Sequence, residues 1–292
     1  MDSKNEVKKA SEIYFNIETL KNINENHLQK KFDYQKTHRI QYYKIFIITT
    51  GIGQHIIDFK KYNFSTGSFM FIAKNQVQSF DFKPGNSGYM ITFSENYLKE
   101  SIKINEGLNQ SWIFNFHFNK PSVQLVAKEQ EYFTTITDRI FQEFNSKNTS
   151  NKIIQALLNL LLLNSERIKK DELLNCSNTE YCNIFFKFKN YIETNFHKTR
   201  NAKVCAQELN ISYKHLNNIC KKLIKKTAKQ FIDDFIILEA KRCLLSSNDT
   251  VKSISEHTGF DESTNFIKYF KKYTKISPAK FRNQIFSISS NS

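Results

Sequence analysis

Between Gly259 and Tyr273 the sequence sets short polar and cationic side chains opposite a set of apolar ones. Ser263, Thr264, Asn265, Lys268, Lys271 and Lys272 occupy one side, while Phe266, Ile267, Phe270 and Tyr273 recur at steps of one, three and three. That recurrence marks the stripe of a helix whose other face is free to meet a partner. Hydroxyls, an amide and ammonium groups on a single helical face are suited to phosphates and to the edges of bases. Gly259 supplies a tight turn ahead of the helix, and Asp261 or Glu262 is placed to cap it at its positive end. An earlier copy begins about fifty residues upstream. There Ser212 is the cap, Leu216, Ile219, Cys220 and Leu223 form the apolar stripe, and Lys214, Asn217, Asn218, Lys221 and Lys225 face outward. Two helices, each apolar behind and basic in front, suit two major grooves of a duplex.

The charge distribution agrees. The 292 residues carry a formal net charge of +15. Residues 183–292 hold 20 basic against 9 acidic side chains, a balance of +11, which leaves +4 for residues 1–182. A positive field concentrated at one end attracts a polyanion, either nucleic acid or an acidic membrane surface. Against the membrane, the two polar faces lack a Trp- or Leu-rich outer side. The longest apolar run, Ala156 to Leu163, is interrupted by Asn159 and is far short of the ~20 residues of a span. Against single-stranded RNA, the same faces lack aromatic stacking platforms. The first ten residues are charged and have no apolar signal core. The five cysteines (Cys176, Cys182, Cys205, Cys220 and Cys243) show neither zinc spacing nor a disulfide framework, which fits a reducing cytoplasm. Cys205, Cys220 and Cys243 fall on apolar stripes and are expected to be small buried hydrophobes.

The elements that must position these helices follow in order. A first strand is expected near Tyr14-Phe15. Residues 38–118 are short runs of Ile, Phe, Tyr and Thr broken by Gly and Asn. They predict strands at Tyr42–Thr50, Gln54–Phe59, Gly67–Ala73, Val77–Phe82 and Gly88–Ser94, with a turn at Gly51-Ile52-Gly53. Ser111–Phe118 alternates Trp112, Phe114, Phe116 and Phe118 with polar residues and predicts another strand. Evenly spaced short strands indicate a sandwich or a small barrel. After Pro121 the period becomes helical. Leu125, Phe133, Ile136, Ile140 and Phe144 share one face, and a second helix over Asn151–Arg167 is apolar on more than one side, so that it needs two partners, the second being another subunit or another domain. Asp171–Thr179 is the expected linker, and helices fill the rest.

Ala206-Gln207-Glu208-Leu209-Asn210-Ile211-Ser212, Leu238-Glu239-Ala240-Lys241-Arg242-Cys243-Leu244-Leu245, and Gly259-Phe260 followed by Phe266, Phe270-Lys271-Lys272, Ser277-Pro278 and Phe281-Arg282 closely resemble the AraC family of bacterial transcription regulators. The resemblance spans about the last hundred residues in order and spacing. It implies an α+β multidomain chain. Residues 1–121 would be a cupin-like β-barrel with a sensor or regulatory role, 122–182 a helical linker with dimerisation helices, and 183–292 an all-α DNA-binding domain of seven helices, in which two helix-turn-helix units are joined by the helix holding Leu238 to Leu245. By the same resemblance Lys214, Asn217 and Asn218, and then Ser263, Thr264, Asn265 and Lys268, face the bases. Asn can pair with adenine N6 and N7, Lys can reach guanine O6 or N7, and the Thr methyl can meet the thymine methyl. Lys221, Lys222, Lys271 and Lys272 are placed for phosphates, which fix register without reading sequence. The implied partners are promoter DNA, a small effector in the barrel and RNA polymerase, with the chain a monomer or a homodimer and no membrane contact. The sequence departs from the family at Lys225 and Lys275, where glycine usually follows a recognition helix. Each must either accept a left-handed conformation, at roughly 1 kcal/mol, or end its helix differently. Ser255 and Thr258 replace a small alanine and an apolar residue.

The competing reading is a metal-dependent cupin enzyme fused to a basic helical domain. His38, His55 and His117 are scattered, with no H-x-H and following Glu in the barrel, and no phosphate loop or G-x-S-x-G occurs. No catalytic residue, metal ligand or cofactor is therefore assigned. Aromatics such as Tyr42, Phe46, Phe69 and Phe80 could line an effector pocket, but inward-facing core is the commoner use of such residues.

Overall fold

The computed structural model describes residues 13–28, 33–81, 83, 85–99, 112–115, 120–172 and 179–289 and divides into two units, Met1–Leu174 and Asn175–Ser292. In the first unit β1 (Phe15–Thr19) and α1 (Leu20–Leu28) precede β2 (His38–Arg39), β3 (Tyr43–Thr50), β4 (Ile52–Ile57), β5 (Lys60–Ser65), β6 (Ser68–Ile72), β7 (Val77–Phe80) and β8 (Ser87–Phe93). A short helix α2 (Glu95–Lys99), a 3-10 turn at Trp112–Phe114, β9 (Ser122–Gln124), α3 (Ala127–Phe144) and α4 (Asn151–Glu172) complete it.

The strands form two antiparallel sheets, β1-β8-β3-β6-β9 and β2-β7-β4-β5. This is the sandwich alternative of the expected cupin-like fold, with the barrel not closed. Successive side chains of β3 and β6 point to opposite faces. Ile45, Ile47, Phe69 and Phe71 pack with Phe133, Ile136, Ile140, Ile154 and Leu158 of α3 and α4. Phe46, Ile48, Met70 and Ile72 pack the other way, with Ile57, Phe64 and Phe80 of the second sheet. Both faces of the larger sheet are covered, so its strands are nearly continuous apolar runs.

Several local expectations change. Ile52 and Gly53 belong to β4, leaving Gly51 (φ 113°) as the turn. The strand expected through Phe59 ends at Ile57. Asp58 and Phe59, both left-handed (φ 48° and 66°), make a two-residue hairpin into β5, a strand the sequence reading missed. A distant segment pins this turn, because the Asp58 carboxylate accepts from Gln76 Nε2 at 2.6 Å and from Val77 N at 3.2 Å. The expected strand at 111–118 is instead a 3-10 turn where described, since consecutive Ile113 and Phe114 enter the same core. Phe116, His117 and Phe118 lie outside the described residues, as does Phe82.

Phe46, Phe69 and Phe80 are core residues rather than pocket lining: Phe46 and Phe80 stack at 4.9 Å, and Phe69 meets Phe133 edge-on at 5.1 Å. Tyr42 is half-buried and stacks on Tyr14 at 4.5 Å. Two of the three scattered histidines meet through an amide. His38 Nδ1 lies 3.0 Å from the Lys36 carbonyl, His38 Nε2 lies 3.3 Å from Gln78 Nε2, and Gln78 Oε1 lies 2.9 Å from His55 Nε2. Donors and acceptors are all consistent with two neutral rings. Burial lowers the pKa of His55 to about 3 and that of His38 to about 4.

On α3, Phe133, Ile136 and Ile140 are buried as expected, while Leu125 is buried ahead of the helix and Phe144 only partly. On α4, Ile154, Leu158, Leu161 and Leu162 face the sheet, whereas Ile153, Leu160 and Leu163 are exposed. Near its end the buried Lys169 donates to the Lys120 carbonyl at 2.8 Å. Among the described residues no helix is long and apolar enough to cross a membrane.

The second unit is helical throughout its described part: α5 (Thr179–Asn195), α6 (Ala202–Glu208), α7 (Tyr213–Ile224), α8 (Ala228–Ser246), α9 (Val251–His257), α10 (Ser263–Thr274) and α11 (Pro278–Ser289). These are the seven helices expected. Cys205, Cys220 and Cys243 are buried, as their stripes indicate. Cys182 corrects the expectation of reduced cysteines: it is disulfide-bonded.

Candidate nucleic-acid interface

The two helix pairs α6–α7 and α9–α10 repeat one backbone design. Each first helix is capped by a side chain: Asn201 Oδ1 accepts from Lys203 N at 2.9 Å, and Thr250 Oγ1 from Ser253 N at 3.1 Å. Each turn passes through a left-handed residue, Asn210 (φ 56°) or Gly259 (φ 78°). In each a backbone bond then closes the turn, Ile211 N to Ala206 O at 3.0 Å and Phe260 N to Ser255 O at 2.9 Å. Gly259 is needed for space as well as conformation, because a Cβ there would lie 2.6 Å from the His197 carbonyl oxygen. The second helix of each pair ends on a left-handed lysine, Lys225 (φ 57°) or Lys275 (φ 68°), whose N–H bonds back to Lys221 O or Lys271 O. Both lysines therefore take the strained conformation rather than ending the helix another way.

Ser212 caps α7 as expected, its Oγ accepting from His215 N at 3.1 Å. Glu262, one of the two residues expected to cap α10, occupies the N-cap position, but its side chain makes no cap bond. Ser255 and Thr258 are buried with their hydroxyls satisfied. Thr258 Oγ1 donates to Ile254 O at 2.7 Å and Ser255 Oγ to Lys252 O at 2.8 Å.

Leu216, Ile219 and Cys220 are buried behind α7, and Leu223 is half-buried. Lys214, Asn218, Lys221 and Lys222 are exposed on it. Ser212, Tyr213, Lys214, His215, Asn217, Asn218 and Lys221 line an open hollow of about 720 Å³. Asn217 is only half exposed, and its Oδ1 accepts from Ala228 N, the first residue of α8, at 2.9 Å. That bond takes one of the two lone pairs of the Asn217 oxygen and fixes the orientation of its amide, leaving the second lone pair and the Nδ2 donors.

On α10, Thr264, Asn265, Lys268, Lys271 and Lys272 are exposed and Ser263 is half-exposed. Phe266 and Phe270 are buried, but Ile267 and Tyr273, expected in the buried stripe, are 36% and 39% exposed. Tyr269 turns inward in their place. Its hydroxyl donates to Asp233 Oδ1 at 2.7 Å, and that of Tyr273 donates to Asp233 Oδ2 at 2.6 Å. Asp233 is a buried carboxylate on α8 that also pairs with Lys229. Burial and then the bond to Asp233 raise the Tyr273 phenol to about 12 and push Tyr269 up as well. Sequence reasoning missed this clamp, although an acid inside the apolar run Phe231 to Leu238 was its visible sign. Arg282 completes the frame, donating to Leu244 O at 3.0 Å and Asp249 O at 2.7 Å.

Two family models match the chain: an AraC-like ligand binding domain over residues 27–174 and a helix-turn-helix domain over residues 205–284. The chain is 20% identical over 255 residues to the HTH-type transcriptional activator RhaS of Pectobacterium carotovorum, covering 86% of this chain and 88% of that one. It is 29% identical over 97 residues to the uncharacterized HTH-type transcriptional regulator YobQ of Bacillus subtilis, a match covering 33% of this chain and 40% of the relative. Among solved structures it is similar to ToxT of Vibrio cholerae O395, with a TM-score of 0.46, 14% identity and coverage of 94% and 98% of the two chains. With one model spanning half of the sequence and the other the helical repeat, the chain belongs to the AraC family of DNA-binding transcription regulators.

Proposed function

We propose that α7 and α10 enter successive major grooves on one side of promoter DNA. Lys214, Asn218, Ser263, Thr264, Asn265 and Lys268 meet base edges, and Lys221, Lys222, Lys271 and Lys272 meet phosphates. Asn217 joins the base-facing set with its amide oriented by the bond from Ala228 N. The observation that carries this reading is the repetition of one capped turn geometry, with both polar faces left exposed by the packing behind them. Consecutive grooves on one side of a duplex are about 34 Å apart, so the two half-sites are expected one helical turn apart. Footprinting with the full chain tests this: two protected patches in that phase support the reading, and a single patch refutes it.

The first unit is proposed to house a small effector that biases DNA binding, as its ligand-binding family model suggests. The exposed Ile153, Leu160 and Leu163 on α4 support a homodimer contact. They recur at helical spacing, and an apolar stripe is normally covered. Sedimentation of wild type and Leu160→Glu checks that contact, with a purely monomeric wild type refuting it. RNA polymerase is the partner proposed for the DNA-bound form.

A further inference from the structure

We propose that Glu239, Cys243 and His257 bind one zinc-class divalent cation, joining the bridging helix α8 to the helix that opens the second helix-turn-helix unit. Glu239 and Cys243 lie one turn apart on α8, and His257 ends α9. Glu239 Oε1 is 3.7 Å from Cys243 Sγ and 3.8 Å from His257 Nε2, and the three donor atoms all lie within 4.8 Å of one another. Zinc bonds of about 2.3 Å to sulfur and about 2.0–2.2 Å to nitrogen and oxygen give tetrahedral S···O and N···O edges of roughly 3.6 and 3.4 Å. The observed separations exceed these by a few tenths of an ångström, within reach of small side-chain rotations.

The surroundings fit. Glu239 and Cys243 are buried, while the His257 side chain is 55% exposed, so water has access to a fourth position. The second carboxylate oxygen, Glu239 Oε2, faces Arg242 Nη1 at 3.5 Å, an outer partner that orients the first oxygen toward the donors. A thiolate, an imidazole and a carboxylate select zinc or a similar borderline ion over magnesium and calcium, which prefer oxygen alone. Thiolate and neutral imidazole are the forms that bind a metal, so binding releases to solvent any proton these ligands carry. The bound ion then ties the end of α9 to α8, which also holds α10 through Asp233.

The test uses the full chain, stripped with a chelator and titrated with cobalt(II) and then zinc(II). The expected result is one equivalent of cobalt giving a thiolate charge-transfer band and the visible bands of a tetrahedral ion, both bleached by zinc. Cys243→Ser should abolish the charge-transfer band, whereas Cys205→Ser and Cys220→Ser should keep it. His257→Gln, at a largely exposed position, needs no core rearrangement and should weaken cobalt binding at least about tenfold. It therefore serves if Cys243→Ser fails to fold. No tetrahedral spectrum would overturn the proposal. A spectrum unchanged in Cys243→Ser or in His257→Gln would also overturn it, by placing the ion elsewhere.

Discussion

The hydroxyl of Tyr273 donates to Asp233 Oδ2 across 2.6 Å, and with Tyr269 on Oδ1 the same carboxylate holds two successive turns of the second recognition helix. Helix α10 is thus anchored to α8 by a charged acceptor, while Phe266 packs on Phe260 and Phe270 on Phe281.

Asp233→Ala removes that acceptor from two phenols and from Lys229. Hydrogen bonds to a charged group contribute about 1.5–3 kcal/mol each, so loss of the two phenol bonds is expected to cost about 3–6 kcal/mol in chemical denaturation of the helical unit. Footprinting should show the second half-site weakened and the first retained.

Asn217→Ala and Asn265→Ala should separate. Asn265 is exposed on the polar face of α10, so its loss should relax base preference locally without changing stability. Asn217→Ala withdraws the acceptor for Ala228 N and should also lower stability by about 0.5–2 kcal/mol, as loss of a helix cap does. Thermal melts paired with a binding-site selection check both. Equal melts for the two variants would show the Ala228 bond to be unimportant.

Lys271→Ala should weaken binding to every duplex alike and reduce the slope of log affinity against log salt by about one. A salt titration on a specific and a random duplex measures it, and a change confined to the specific site would mean that Lys271 reads a base.

His55 gives the first unit an acid-sensitive core. Unfolded, its imidazole takes a proton near pH 6.5; folded, burial holds that protonation down to about pH 3. Stability from this group is complete above pH 6.5 and falls by about 1.4 kcal/mol per unit as pH drops below it, because the unfolded chain binds the extra proton. His55→Gln should flatten that slope. The sole tryptophan, Trp112, lies in this unit, so its fluorescence in urea melts between pH 7 and pH 5 follows the transition.

Lys225→Gly and Lys275→Gly should each stabilise the helical unit by about 1 kcal/mol, since glycine takes the left-handed conformation without strain. A differential melt against wild type decides it. A fall in melting temperature would show that the lysine side chains contribute more than the strain removes.

The repeated turn, the cap at Ser212, the bend at Gly259 and the exposed cationic faces were legible because they depend on residues a few positions apart. What the sequence concealed depends on distant contacts. The hairpin at Asp58-Phe59 has no glycine to announce it, and its conformation is held by Gln76 and Val77. Ile267 and Tyr273 have the spacing of a buried stripe, but the Asp233 carboxylate draws Tyr269 inward and tips that stripe round the helix. Asn217 has the side chain of a base reader, and only the fold shows its oxygen held by Ala228. β6, buried on both faces, lacks the alternation of a strand with one wet side but was still legible as a short apolar run bounded by turn residues.

That grip on the Ala228 amide constrains any attempt to redirect this regulator to a new operator. If the proposed groove assignment holds, Lys214 and Asn218 can be exchanged as a lettering set, whereas altering Asn217 edits the start of α8 along with the text.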